Sequence, residues 1–289
     1  MIYSRLMRST AIRLFGLSLL ASGLWVAYSQ FGNQPSKLET VKIKDDLYVI
    51  HNDFVPGNTT ALITNEGVIL VDDKFEIDAN NILAELKKIT NQPVKYVINT
   101  HHHGDHSGGN AALQKLGATA VAHENALQHM LDGNQPGVAN IGVSNHARIR
   151  LGGKEAEIFY FGRSHTSGDI SVYFPAQRTL ATGDMFTFGD ATPELIDYAG
   201  GGSAKEWPTT VHNALRLDFD TVVPGHGVVT NKAELAKYEQ STIALRSRIS
   251  QMIKEKKTRA EMVEVMKKEF HWADLHVASS MDGAMIELR

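Results

Sequence analysis

Thr100-His101-His102-His103-Gly104-Asp105-His106-Ser107-Gly108-Gly109 is the stretch on which the reading of this chain turns. Inside it the pattern H-x-H-x-D-H packs four histidines and an aspartate into six positions, in a chain with 13 histidines in all, which makes it a strong motif. Spacing says what backbone can use it. Residues two apart point to opposite sides of a helix and to the same side of an extended segment, so His101 and His103 can serve one centre only at a strand end. Asp105 and His106 are adjacent and would diverge in a strand, so the backbone must turn at Gly104. Two neighbouring pairs result, and each lacks partners. A zinc ion usually takes four ligands, and a catalytic one leaves a place for water or substrate.

The missing ligands are expected at other strand ends downstream. Three candidates fit: His165 in Gly162-Arg163-Ser164-His165-Thr166-Ser167-Gly168-Asp169, Asp184 in Thr182-Gly183-Asp184, and His226 in Pro224-Gly225-His226-Gly227. Glycine frames all three, and small neighbours let a metal approach the backbone closely. His102 should point away from the pair it separates, into a supporting hydrogen bond, and Asp169 reads as a local hydrogen-bonding partner. The remaining histidines, His123 and His146 among them, have no such spacing and read as ordinary. Met185, Phe186 and Phe188 read as packing, and the run of Gly200, Gly201 and Gly202 before Ser203 as a flexible turn.

Taken in order, H-x-H-x-D-H, G-x-x-H-T-x-G-D, T-G-D and P-G-H-G resemble the metallo-β-lactamase superfamily over essentially the whole chain after its first 29 residues. The resemblance implies an α/β fold, an αββα sandwich of two mixed β-sheets with helices on the outer faces and a two-metal site at one edge. It implies His101, His103 and His165 on one zinc, Asp105, His106 and His226 on the other, and Asp184 bridging the two. A zinc-held water has a pKa near about 7, so a hydroxide bridging the metals can attack a carbonyl without a serine or cysteine. Asp105 would orient that nucleophile or take its proton. The implied activity is cleavage of an ester, lactone, thioester or β-lactam. The lactamase subclass with a cysteine ligand is excluded, because the chain has no cysteine; Asp184 is closer to the bridging aspartate of glyoxalase-II-type hydrolases and lactonases.

The alternative from another class is an iron-dependent oxidoreductase of the same fold, similar to the persulfide dioxygenases. The flavodiiron pattern is a poorer fit, since His103 stands where that family has glutamate and no flavin domain follows. A binding protein on this scaffold would be expected to have lost ligands, and all seven are here.

Composition sets the frame. At 289 residues, 43% apolar and 21% charged, the chain supports one α/β domain with a substantial core. Its first 29 residues carry Arg5, Arg8 and Arg13 with no acidic residue and then an apolar run over residues 14–26, the layout of a secretory signal peptide. Ala27 and Ser29 fit a cut ahead of Gln30, and the run is shorter than the roughly 20 residues a membrane span needs. An uncleaved anchor with Trp25 and Tyr28 at the interface is the alternative. Residues 30–289 are therefore expected to form the hydrolase domain, working in the periplasm or outside the cell, with no stable membrane insertion. Loss of the leader takes the net charge from −3 to −6, which argues against a nucleic-acid surface.

Local pattern gives the elements. Residues 41–50 and 60–71 read as an antiparallel strand pair turning at residues 65–67. Helical spacing spans residues 78–89, with Asp78 as its cap, and Pro93 ends it. Strands follow at residues 94–99 and 118–122, each leading into a helix, and residues 132–145 read as a surface loop. Further strands are expected at residues 156–161, 170–174, 179–181 and 221–223, then helices over residues 232–256 and 258–270. Strand-rich halves each closed by helices suggest two sheets with helices outside.

Overall fold

A computed structural model describes residues 34–188 and 195–289; the expected leader, residues 1–29, lies outside them. The chain opens with an antiparallel meander of β1 (Glu39–Lys44), β2 (Leu47–His51), β3 (Thr59–Ile63) and β4 (Val68–Val71), four strands where the pattern suggested two. One added reversal falls at Asp46, which takes the left-handed conformation (φ 60°) that aspartate tolerates better than most residues. A 3-10 turn at Glu76–Asp78 leads into α1 (Ala79–Lys87). Asp78 occupies the expected cap position but makes no side-chain capping bond.

From β4 onward the sheet becomes parallel, adding β5 (Val94–Ile98), β6 (Thr119–His123) and β7 (Ile141–Val143). The short helices α2 (Gly104–Ser107) and α3 (Asn110–Lys115) join β5 to β6, and α4 (Glu124–Asp132) follows β6. The second sheet holds β8 (His146–Leu151), β9 (Lys154–Tyr160), β10 (Ile170–Phe174), β11 (Thr179–Gly183), β12 (Thr221–Pro224) and β13 (Thr230–Asn231). Its pairs are antiparallel except β11 with β12, which are parallel; α5 (Trp207–Leu215) lies between them in sequence. Three helices end the chain: α6 (Lys232–Lys254), capped by Asn231, α7 (Arg259–Glu269), opened by the Thr258/Glu261 capping box, and α8 (Asp274–Glu287).

Sequence pattern missed β7, β8, β13, α5 and α8. β8 is an edge strand whose His146, Arg148 and Arg150 alternate with partly buried residues; charge of this kind guards a sheet edge and also hides the strand's apolar signal.

Three apolar clusters make the layers. Val49, Leu62, Ile69 and Ile98 of the first sheet meet Ile158, Val172, Phe174 and Val223 of the second. Their neighbours Ile50, Ala61, Leu70 and Val97 face the other way, onto Ile82, Leu113 and Met130 of the helices. Leu180 and Val222 pack outward on Trp207, Val211, Leu235 and Ile249. Side chains alternate along a strand, so central strands covered on both faces read as unbroken apolar runs such as Val68–Val71, all four buried. Each such aliphatic side chain contributes roughly 1.5–3 kcal/mol. The result is the expected sandwich of two mixed sheets between helical layers. Among the described residues no helix is long and apolar enough to cross a membrane.

Candidate metal centre

The parallel strands bring their C-terminal ends together. Asp72 follows β4, the histidine motif follows β5, Asp184 follows β11 and His226 follows β12, while His165 sits in the β9–β10 connection. Thr100 joins the two sheets, its carbonyl accepting from Ile170 N at 2.8 Å.

Side chains from these loops converge in two triads, His101 with His103 and His165, and Asp105 with His106 and His226; in each, one ligand atom per residue lies within 4.8 Å of the others. In the first, His103 Nδ1 stands 3.1 Å from His101 Nε2 and 2.9 Å from His165 Nε2. In the second, His106 Nε2 and His226 Nε2 are 3.2 Å apart, and Asp105 Oδ2 is 3.6 Å and 3.4 Å from them. Asp184 lies between the triads: Oδ2 is 3.9 Å from His101 Nε2, 3.7 Å from His165 Nε2 and 3.4 Å from His226 Nε2. Its Oδ1, 3.3 Å from His106 Nε2, is buried and makes no hydrogen bond. The structure thus brings all seven expected residues to one place.

Each imidazole is held from behind, which sets its rotation. His101 Nδ1 donates to Thr100 Oγ1 (3.1 Å), which donates to Asp72 Oδ2 (2.8 Å). The same Asp72 oxygen accepts from His106 Nδ1 at 2.8 Å. His103 Nε2 donates to Asp197 Oδ2 (2.9 Å), His165 Nδ1 to the Leu195 carbonyl (2.6 Å) and His226 Nδ1 to the Phe54 carbonyl (2.8 Å). Asp72 reaches both partners from a left-handed backbone (φ 61°), the kind of strain that gathers at functional sites. None of these supports was read from the sequence. Asp72 left a trace, an acid at the end of an apolar strand; Asp197 left none.

Charge inside the cluster is strongly displaced. Burial pushes His101 well below its ordinary value, and His106 beside it pushes the same way. Burial also disfavours charge on His106, but Asp184, Asp105 and Asp72 outweigh it and hold the ring well above its usual range. For Asp184, burial is overcome by His226 and His106, which keep the carboxyl well below that of a free aspartate. Nearby Lys74 is fully buried, donating to the Gly57 carbonyl (2.6 Å) and Asn52 Oδ1 (3.0 Å), and desolvation lowers it to about 7.

His102 lies outside both triads but not clear of the pair: its ring centre is 4.6 Å from that of His103, with which and Asp197 it forms a further cluster. It stacks on His129 with ring centres 4.4 Å apart, while its buried Nδ1 finds no hydrogen bond. Asp169 is the local partner expected, accepting from Ser164 Oγ and Thr166 N. His123 caps α4 and stacks on Tyr160, and exposed His146 pairs with Glu157. Met185 and Phe186 are core, with Phe188 packed against them. The glycine run is not a free turn: Ser167 N donates to Gly200 O, and Gly202 packs on the His165 carbonyl so closely that a Cβ there would lie 2.3 Å from it.

Fold and site together define a metallo-beta-lactamase scaffold, and the model of the metallo-beta-lactamase superfamily matches residues 52–226. The chain belongs to that superfamily. It is 28% identical over 217 residues to a metallo-beta-lactamase type 2 of Elizabethkingia meningoseptica, covering 72% of this chain and 86% of the relative. To one from Bacillus sp. (strain 170) it is 30% identical over 201 residues, 68% of this chain and 77% of the relative. A solved metallo-beta-lactamase from Pontibacter korlensis superposes with a TM-score of 0.64 at 24% identity, covering 71% of this chain and 99% of that one, a likeness of fold.

Proposed function

We propose that this protein is an exported binuclear zinc hydrolase that cleaves a small carbonyl substrate. The observation that carries this reading is the pair of triads with Asp184 between them. Ligands about 2.0–2.1 Å from a tetrahedral ion stand about 3.3 Å apart, and the ring nitrogens here are 2.9–3.2 Å apart. Lone pairs set face to face this closely repel unless a cation or a proton lies between them. The unpartnered Asp184 Oδ1 is a further acceptor aimed into the same space. An all-imidazole and carboxylate donor set suits zinc, and also iron.

His101, His103 and His165 would hold one ion, Asp105, His106 and His226 the other, and Asp184 both. Zinc bound there would lower the pKa of its water to about 7 and polarise the substrate carbonyl. Asp105 is the group placed to orient the attacking water or take its proton, because its side chain is part-exposed where those of the imidazoles beside it are buried. Asp184, held as a carboxylate by its imidazoles, keeps negative charge at the centre of the cluster. Asp72 and Asp197 fix which nitrogen of His106 and of His103 faces inward. With residues 1–29 read as a leader, this chemistry would take place outside the cytoplasm.

The test is a hydrolysis panel on the zinc-loaded protein, spanning β-lactams, acyl-homoserine lactones, glutathione thioesters and aryl esters, with metal analysis of the protein as isolated. Turnover of one class is expected, abolished in His101→Ala and His226→Ala and mostly kept in His102→Ala. Iron with oxygen consumption and no hydrolysis would overturn the reading.

A further inference from the structure

Beyond the matched residues 52–226 lies α8, which carries none of the seven site residues. Besides packing on α6 and pairing with α7, it bonds to one loop segment, residues 195–205. Glu287, at the end of α8, accepts from Tyr198 Oη (2.8 Å), from Lys205 N (3.1 Å) and from Ser203 Oγ. One turn and more back along the helix, Ser280 Oγ accepts from Ile196 N at 2.9 Å, and Ser279 Oγ donates to the Ile196 carbonyl at 3.1 Å. Between these anchors the Tyr198 ring lies flat on Gly283, where a Cβ would come within 2.2 Å of it.

The clasped segment is the one that orients the first triad. Leu195 supplies the carbonyl behind His165, and Asp197 the carboxylate behind His103. Asp197 N also donates to the His165 carbonyl (2.9 Å), and Ser203 N to the Ser164 carbonyl (2.9 Å). The second triad is supported elsewhere, by Asp72 and the Phe54 carbonyl. So the clasp is selective: it reaches two imidazoles of one triad and none of the other.

We propose that α8 is a positioning element for the first metal, with Glu287 its principal residue, acting through residues 195–205 on His103 and His165. This rests on the reading of the triads as metal sites. An outer carboxylate or carbonyl that fixes a ligand's rotation is worth about 10- to 100-fold in metal affinity when lost, and Glu287 holds the segment carrying two of them.

The experiment uses the full chain in an Asp105→Ala, His226→Ala background, where the second triad is broken and the first kept whole, and in the otherwise wild-type protein. Zinc affinity is measured by competition with a chromophoric chelator, alongside melting of the metal-free protein. In the background, Glu287→Ala is expected to weaken zinc binding about tenfold, with partial rescue by Glu287→Gln, which keeps an acceptor oxygen. In the wild-type context only one of two zinc constants should change. Asp282→Ala, which breaks the Arg259–Asp282 pair between α7 and α8 without touching the clasp, should change neither. If Glu287→Ala does not fold, Tyr198→Phe removes one donor to the carboxylate and should weaken the same constant. Unchanged affinity in the background overturns the clasp and leaves the centre standing; equal weakening of both zinc constants also overturns it. A wild-type chain that takes up no zinc overturns centre and clasp together.

Discussion

Lys74 shows how far one residue's chemistry here depends on its surroundings. Its ammonium is wholly buried beside the site, with two neutral oxygens as hydrogen-bond partners and burial outweighing the pull of Asp78, Asp72 and Asp105. In the unfolded chain a lysine keeps its proton up to about pH 10.5, whereas the folded one releases it near about 7. Above pH 7 the unfolded state therefore binds more protons, and stability rises with pH until both forms are neutral; below pH 7 both are charged and the slope vanishes. Between pH 7 and 9 wild type is expected to gain on Lys74→Met by up to about 1.4 kcal/mol per pH unit, read from urea midpoints. Parallel stability profiles would mean that Lys74 titrates like a free lysine. The site residues were legible at this scale because metal ligation demands particular side chains at particular spacings. Asp72, Asp197 and the carbonyls of Leu195 and Phe54 were not, since an acceptor behind an imidazole can come from any chain position.

Strand ends carry the chemistry, and their geometry is enforced by close packing at glycine. At Gly225, between β12 and His226, a Cβ would stand 2.0 Å from Asp184 Oδ1 and 2.6 Å from the Gly183 carbonyl carbon. Gly225→Ala must push the carboxylate aside, so zinc uptake is expected to fall from two equivalents and hydrolysis to drop about 100-fold, with the circular dichroism spectrum kept. Full zinc uptake in that variant would mean that Asp184 is not shared between the triads. α6 and α7 were readable, being runs of 23 and 11 residues free of proline and glycine. The ones missed have local reasons: β7 is three residues long, β8 is charged at its exposed positions, and α5 opens on Trp207-Pro208, where proline reads as a break. α8 is apolar without a marked stripe, meeting residues 195–205 through serine, glycine and glutamate while Met281 and Ala284 enter the core.

At the scale of the molecule, the metals are expected to be part of the fold's stability. Without a cation, five imidazoles and two carboxylates crowd one sheet edge, whereas a metal that bound the folded state alone would stabilise it by about 4 kcal/mol at a thousandfold excess over Kd. Removal of metal by a chelator should lower the melting temperature by roughly 10 °C, with recovery on adding zinc and none on adding magnesium. An unchanged melting curve after complete metal removal would contradict a built-in centre. Sequence by itself determined which imidazoles and carboxylates are candidate ligands and the layered class of fold, because donor identity, spacing and strand alternation are local properties of the chain. Tertiary structure alone decided which acceptor stands behind each imidazole, where Lys74 is buried and that α8 reaches the first triad. Those depend on packing between segments as much as 172 residues apart, and no local pattern encodes a contact whose partner is set only when the sheets close on each other.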